Sequence, residues 1–158
     1  MNHLRLALIF ILSCQLFACS SSSEPKDLPS ILTYSIHALD DVNPNLEGKA
    51  TPLAFQVFEL EDDSKLLDVD YDSLIEDYED ALGTNYVDHS DYTLLPGQFK
   101  FIEPKAIDED TRYIGVVAQY GNPDISQWKK VIKIKSTGRE FHILILLKEQ
   151  EVILNKVE

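Results

Sequence analysis

The feature that most constrains the fold is a pair of strand-like runs separated by a polar loop, within residues 31–60. In the first run, apolar Leu32, Tyr34 and Ile36 alternate with polar side chains, which is the period of a strand buried on one face. The second run, residues 53–60, carries apolar side chains on both faces. This pattern predicts a β protein whose first two strands are joined by a long loop.

The loop between these runs, residues 40–51, contains residues that give a backbone a defined shape. Pro44 fixes φ, Gly48 permits a positive φ, and Asn43 and Asn45 can hydrogen-bond their own backbone. The loop is too long for a two-residue hairpin turn. Two interpretations stay open, a recognition loop on a rigid strand pair and an ordinary connection.

The chain after residue 60 predicts further strands separated by turns. Strand-like runs lie within residues 92–95, 98–102, 113–120, 128–134, 140–148 and 152–157. Polar segments predicted as loops are residues 61–70, 86–90 and 103–111. About eight short strands at this spacing predict a mainly β fold, a two-sheet antiparallel β-sandwich, with a closed barrel as the alternative.

One segment changes to the helical period. The apolar residues that recur at helical spacing are Tyr71, Leu74, Ile75, Tyr78 and Leu82. Asp70 can cap the start of a helix, and Gly83 stands where a helix commonly ends. We therefore expect one short inserted helical segment at about residues 70–83, with an acidic outer face.

The N-terminus predicts a lipoprotein signal peptide. An apolar run, residues 6–17, follows Arg5 and is too short to span a bilayer. It ends in Leu-Phe-Ala-Cys, which resembles a bacterial lipobox whose thiol is Cys19. We expect residues 1–18 to be removed and Cys19 to carry diacylglycerol and an N-acyl chain. An ordinary signal peptide with a chance cysteine, or a short transmembrane anchor, are the alternatives.

The residues after Cys19 predict a tether and a destination. Residues 19–30 begin with four serines and predict a flexible link to a folded domain at 31–158. Ser20, and not aspartate, follows the cysteine. By the usual sorting rule for enterobacterial lipoproteins, this predicts the outer membrane, on its periplasmic face.

Charge and motifs exclude several function classes. The formal net charge of −13 argues against binding to nucleic-acid phosphates or anionic headgroups by charge. No catalytic motif, phosphate-binding loop or paired-cysteine metal site is present in the sequence. Acidic residues at 68, 70, 72, 76 and 79 match the spacing of a calcium loop, but a helical backbone cannot wrap an ion. We therefore expect no enzyme activity, no metal and no cofactor beyond the acyl chains.

Several motifs, in order, resemble one family of lipoproteins. These motifs are Asn43-Pro44-Asn45, Pro52-Leu53, Val57-Phe58-Glu59-Leu60, Ala81-Leu82-Gly83, Leu95-Pro96-Gly97, the strand Arg112 to Ala118, and Tyr120 with Trp128. Together they resemble the type VI secretion lipoprotein family TssJ, also called SciN. Gly121 and Lys129 depart from the arginines common in that family. The resemblance implies a transthyretin-like sandwich.

The same resemblance implies a function. A family member tethers the periplasmic domain of the inner-membrane protein TssM to the outer membrane within the type VI secretion membrane complex. The contact residues implied are those of the first loop, Asp40, Asp41, Val42, Asn43, Pro44, Asn45, Leu46, Glu47, Gly48 and Lys49. A second loop, residues 122–127, is expected to contribute, because an interface of standard size buries about 800 Å² per partner. The alternative is a periplasmic small-ligand carrier or inhibitor lipoprotein.

Overall fold

The computed structural model describes residues 28–157, which form eight strands and three short helices. The strands are β1 (Ile31–Ala38), β2 (Leu53–Leu60), β3 (Tyr86–Leu94), β4 (Phe99–Ala106), β5 (Tyr113–Ala118), β6 (Lys129–Lys133), β7 (Glu140–Leu147) and β8 (Val152–Val157). The helices are α1 (Ser64–Asp68), α2 (Tyr71–Glu76) and α3 (Tyr78–Leu82). The predicted lipobox and most of the predicted tether lie outside the described residues.

The strands form two four-stranded sheets, as the β-sandwich prediction requires. The first sheet has the order β4-β1-β7-β8 and the second has the order β3-β2-β5-β6. All neighbours pair antiparallel except β1 and β7, which are parallel. A parallel pair needs a long crossover connection, and here most of the domain lies between the two strands.

The core between the sheets follows the period of two that the sequence shows. Leu32, Tyr34 and Ile36 of β1 face inwards and are buried, and their neighbours in β1 are half-buried. Phe55 and Val57 of β2 meet them from the second sheet in the same buried cluster. The alternation predicted for residues 31–38 and 53–57 is therefore confirmed.

A second, smaller apolar cluster lies on the outer face of the second sheet. Phe58 and Leu60 of β2 and Val117 of β5 pack there against Leu66, Leu74 and Leu82, one from each helix. This cluster explains why β2 and β5 are apolar on both faces, because one face lines the sandwich core and the other lies under the helices. Burial of both faces gives the near-continuous apolar runs seen in the sequence.

The helical segment differs from the single helix expected at residues 70–83. Asp70 does cap α2, and its carboxylate accepts a hydrogen bond from the Ser73 backbone N–H. The helix breaks at Asp77, whose φ of −153° is not helical and whose side chain caps α3. A mid-helix aspartate that can bond the backbone two or three residues on competes with the helix. Leu74, Tyr78 and Leu82 of the predicted stripe pack on the outer face of the second sheet, whereas Ile75 is exposed.

All three segments expected to be loops contain regular structure. Residues 61–70 contain α1, residues 86–90 are the first half of β3, and residues 103–106 are the end of β4. β3 is an edge strand that pairs only with β2 in its sheet. One side of an edge strand faces solvent, so β3 tolerates polar residues and lacks the apolar alternation by which a strand is predicted.

Lys129 joins the helical layer to the sheet. Its ammonium donates to the carbonyl oxygens of Leu66, Leu67 and Val69 at 2.8, 2.6 and 2.7 Å, at the C-terminal end of α1. It also lies 4.7 Å from the centroid of the Trp128 ring. Carbonyls at a helix end have no partner within the helix, and a lysine there satisfies them and complements the helix dipole.

We expect Lys129→Met to cost about 1–3 kcal/mol in the free energy of unfolding, because three carbonyls lose their donor, two of them in partly buried bonds, while the aliphatic stem is kept. Urea unfolding followed by tryptophan fluorescence measures the change, since the only tryptophan is Trp128. Lys130→Met is the matched control, because the Lys130 ammonium bonds only the Gln127 side chain among the hydrogen bonds found. Equal stability of the two variants would refute the role of Lys129.

Candidate functional site

Four loops meet at one end of the sandwich. Strand pairing places the end of β1, β3, β5 and β7 and the start of β2, β4, β6 and β8 at this end. The loops are residues 39–52, 95–98, 119–128 and 148–151. We call this the loop end. The described chain begins at the opposite end, where Leu28 precedes β1, and we call that the base.

The inner half of the first loop is fixed by Asn43. Its side-chain amide donates to the hydroxyl of Thr51 at 2.9 Å and to the carbonyl of Pro52 at 3.0 Å, and its carbonyl accepts from the Gly121 N–H at 2.8 Å. Its backbone N–H donates to the Glu149 carbonyl at 3.0 Å. Asn43 therefore connects three of the four loops. Its φ of +49° is in the left-handed region, where asparagine is tolerated better than most residues.

The outer half of the first loop is a small turn that projects into solvent. The Asn45 side-chain carbonyl accepts from the backbone N–H groups of Glu47 and Lys49 at 3.0 and 2.9 Å. The Gly48 N–H donates to the Asn45 backbone carbonyl at 2.9 Å, and Gly48 has a φ of +76°. Leu46 stands at the tip and is fully exposed. The shape that the sequence predicted for this loop is thus present.

Two other loops at the same end carry exposed aliphatic side chains. Ile125 ends a 3-10 turn at Pro123–Ile125 and is 61% exposed, and Leu95 in the β3–β4 turn is 58% exposed. The β3–β4 turn is held against the first loop, since the Gly97 N–H donates to the Leu39 carbonyl at 3.3 Å. Each of three loops at the loop end therefore presents one exposed aliphatic side chain, Leu46, Leu95 or Ile125.

The loops are also connected beneath the surface. The Tyr120 hydroxyl donates to the Lys148 carbonyl at 3.0 Å, and burial raises the pKa of that phenol. The Gln127 N–H donates to the Gln150 carbonyl at 2.8 Å, and the Gln127 carbonyl accepts from the Val152 N–H at 3.1 Å. The loops at residues 119–128 and 148–151 are therefore held to each other and support the first loop.

The ten predicted contact residues divide into two groups. Val42 and Asn43 are buried and Pro44 is half-buried, so these three support the loop and present little surface. The exposed members are Asp40, Asp41, Asn45, Leu46, Glu47, Gly48 and Lys49. Residues 122–127 lie at the same end, as expected. The sequence prediction did not include Leu95 in this surface. Its position directly before Pro-Gly in a predicted turn could have indicated that this apolar side chain is exposed.

Two titratable side chains of the second sheet, His89 and Glu59, are held by contacts within the fold. The His89 ring stacks on Phe58, and its nitrogens lie 2.9 Å from the Tyr86 hydroxyl and 3.3 Å from an Asp91 carboxylate oxygen. Glu59 is buried and accepts from Thr111 and Lys105 at 2.8 and 3.2 Å. Within residues 28–157, no group of three or more potential metal ligands is found.

The interior of the sandwich is filled by side chains. A cavity of about 20 Å³ lies beside Tyr34 and Val57, which is too small for an organic ligand. Concavities of about 520 and 410 Å³ lie on the surface, beside polar residues of α2 and α3 and beside the Glu59–Lys105 pair. In the described part of the chain, no helix is long and apolar enough to cross a membrane.

Comparison with known proteins gives one consistent family. A family model described as type VI secretion lipoprotein (T6SS-SciN; VasD, EvfM, TssJ) matches residues 30–150. The T6SS lipoprotein TssJ1 from Pseudomonas aeruginosa is 29% identical with a TM-score of 0.77, over 82% of this chain and 98% of that one. A comparison with curated proteins gave no match.

Two further solved structures share the fold. Serratia marcescens Lip, described as a membrane bound component of the type VI secretion system, is 26% identical with a TM-score of 0.71, over 83% of this chain and 98% of that one. A chain from a structure described as the T6SS protein TssM C-terminal domain from EAEC is 20% identical with a TM-score of 0.65. It covers 80% of this chain and 98% of that one, and at this identity it shows the fold alone.

Proposed function

This chain belongs to the type VI secretion lipoprotein family, and we propose that it is an outer-membrane lipoprotein that holds the periplasmic domain of TssM through its loop end. In this proposal Cys19 carries the acyl chains on the periplasmic face of the membrane. The exposed residues of the first loop then contact TssM. The protein has an assembly role and no catalytic one.

The observation that carries the proposal is the separation of the two ends. The chain that would come from the membrane enters the domain at Leu28, next to the start of β1, whereas the projecting turn around Leu46 lies beyond the end of β1. Eight-residue strands span about 26 Å at 3.3 Å per residue. A domain with its attachment at one end and a shaped, exposed loop at the other is suited to bridging two partners.

The rigidity of the loop end supports a binding role. The bonds of Asn43 and Asn45 hold the first loop in one conformation before any partner arrives. Less ordering entropy is then lost on docking, so more of the contact energy remains as affinity. Leu46, Leu95 and Ile125 offer exposed apolar anchors at the loop end, and the exposed acidic residues Asp40, Asp41 and Glu47 of the first loop offer polar contacts.

The size of a stable interface supports a contribution from a second loop. One projecting turn offers less than the roughly 800 Å² per partner of a standard complex. Residues 122–127 lie beside the first loop and are held to it through Gly121 and Asn43. The carrier alternative receives no support from the sandwich interior, which is filled between the sheets by the large buried cluster around Phe55 and Ile143.

We expect Leu46→Glu to weaken binding of the TssM periplasmic domain by about tenfold or more, because a charge at the centre of an apolar contact must be desolvated without a partner. Isothermal titration calorimetry with the two purified periplasmic parts measures the change. The fold should not change, since Leu46 has no buried surface.

Leu28→Glu is the matched control, because Leu28 is an exposed leucine of the base, at the opposite end of the sandwich. It makes the same chemical change and should leave the affinity unaltered. Binding of Leu46→Glu at wild-type affinity would assign the contact to another surface.

A further inference from the structure

The two sheets of the sandwich differ on their outer faces. The helices cover the outer face of the second sheet, whereas none of the side chains that point outward from the first sheet belongs to either apolar cluster of residues 28–157. Three apolar side chains of this face are exposed, Phe99 at 58%, Phe101 at 47% and Val157 at 65%. Residues 20–27 contain no apolar residue apart from Pro25, so the predicted tether is not an apolar cover for this face.

The outer face of the first sheet carries no formal charge over most of its area. Strand pairing arranges its side chains in rows across the sheet, from Phe99 to Ile153, from Phe101 to Asn155, and from Thr33 to Val157. None of these rows contains Asp, Glu, Lys or Arg, although such residues make up 26% of the chain. Charged residues begin only at the margin nearer the base, with Glu103 and Glu140. We call the three rows the neutral face.

The centre of the neutral face is hydrogen-bonded within itself. The Ser35 hydroxyl and the Nε2 atom of His142 are 2.8 Å apart. The rings of Phe101 and His142 have centroids 6.4 Å apart, as do those of Phe99 and His37. Because the Ser35 hydroxyl keeps its partner when the face is covered, burial of the surrounding apolar area carries little desolvation cost.

The neutral face has the size of a weak interface. Four strands at a spacing of about 4.8 Å are about 19 Å wide, and three rows, two residues apart along each strand, span about 20 Å. The planar area is therefore about 400 Å² per copy, and the relief of the side chains raises the accessible area above this value. Pairing two such faces buries on the order of 1,000 Å² in total, at the low end of specific interfaces.

The charge distribution favours a second copy of this chain as the partner. Two copies with a net charge of −13 repel each other, and a contact between them avoids like charges only where neither surface is charged. The neutral face meets this condition. An anionic membrane would be met by Lys or Arg, which the face lacks. A protein of opposite charge would be met by the acidic residues of the remaining surface.

We propose that two copies anchored in one membrane pair through their neutral faces, with the sheets packed about 10 Å apart. This inference goes beyond the proposed function and takes from it only the anchor at Cys19, which holds both bases toward the same membrane. A two-fold axis parallel to the strands then places each row opposite the same row of the other copy. The anchor raises the local concentration, which offsets the low affinity of a small interface. Both loop ends stay free for a partner.

The test uses the full mature lipoprotein in phosphatidylcholine vesicles at a low protein-to-lipid ratio. The mature chain would keep only Cys19, whose thiol would be acylated. Ser35→Cys therefore introduces one free thiol at the centre of the neutral face, and Glu79→Cys is the matched control on the exposed surface of α3. With a short bis-maleimide, we expect covalent dimers to form about fivefold or more faster for Ser35→Cys. The rates are corrected for the reactivity of each thiol with a monofunctional maleimide.

A charge placed on the neutral face then identifies the contact. Phe101→Glu, combined with Ser35→Cys, should lower the rate to that of Glu79→Cys, since the carboxylate would lose its hydration against the other copy. Leu67→Glu adds the same charge to the exposed surface of the helical layer and should leave the rate unchanged. Equal rates for the two single cysteines, or a rate that Phe101→Glu does not alter, would overturn the pairing alone.

The same samples distinguish the other occupants of the face. Protection of the thiol introduced by Ser35→Cys in vesicles, relative to detergent and without covalent dimers, would assign the face to the lipid surface. Protection only after addition of the TssM periplasmic domain would assign it to that partner. Either result would overturn the pairing. Loss of flotation with the vesicles in all samples would overturn the anchor and the pairing on the membrane together.

Discussion

Replacing Cys19 by serine is expected to release the protein from the membrane and leave its domain folded. The acyl group is attached as a thioether, and a serine hydroxyl cannot take that place. Each buried CH₂ of an acyl chain contributes about 0.8 kcal/mol, so the loss of several chains removes nearly all membrane affinity. Cys14 and Cys19 both precede the described residues 28–157, so the substitution changes no side chain of the described domain.

Detergent-phase partition of the expressed protein measures the release, and thermal unfolding of the purified domain checks the fold. Cys14→Ser is the matched control, because Cys14 lies inside the apolar run ahead of the lipobox and should leave partition unchanged. A Cys19→Ser protein that still partitions into detergent would mean that another segment anchors the chain.

Asn43→Ala is expected to cost about 2–4 kcal/mol in the free energy of unfolding. The substitution removes the bonds to Thr51, Pro52 and Gly121. It leaves polar groups of a well-packed region without partners, each of which costs about 1–3 kcal/mol. Alanine also has a greater intrinsic cost than asparagine at a φ of +49°. Urea denaturation of the wild type and the variant measures the change.

Two companion variants separate the causes. Asn43→Asp keeps an acceptor for the Gly121 N–H and loses the donor to Pro52, so its stability should fall between those of the wild type and the alanine variant. Asn45→Ala loses two bonds within an exposed turn and should cost less than Asn43→Ala. If Asn43→Ala were as stable as Asn45→Ala, the link between the three loops would not be important for stability.

The strands that the sequence located best are those buried on at least one full face. In β1 and β7 about every second residue is buried, and in β5 nearly every residue is buried. The apolar pattern of these strands is therefore visible in the sequence alone. β3 was half missed because it forms an edge, where solvent on one side permits Asp88, Ser90 and Asp91. The helical segment was located correctly, but Ile75 of its predicted stripe is exposed, and its break at Asp77 depends on a local hydrogen bond that periodicity cannot show.

For the candidate site too, the sequence predicted the local features, and only the tertiary structure showed which residues are brought together. Turn-forming residues in the sequence located the first loop and predicted its shape. They could not show that Val42 and Asn43 face inwards, because that depends on contacts with Gly121 and Glu149, which are distant in the chain. They also could not show that Leu95 and Ile125 lie at the same end of the sandwich as Leu46.

The sequence by itself determined the alternation of the core strands, the family and the expected lipid attachment, because these are written in local patterns of a few residues. The tertiary structure alone decided which residues share a surface. It collected four loops at one end, because sheet pairing brings together segments more than a hundred residues apart, and no local pattern specifies that register.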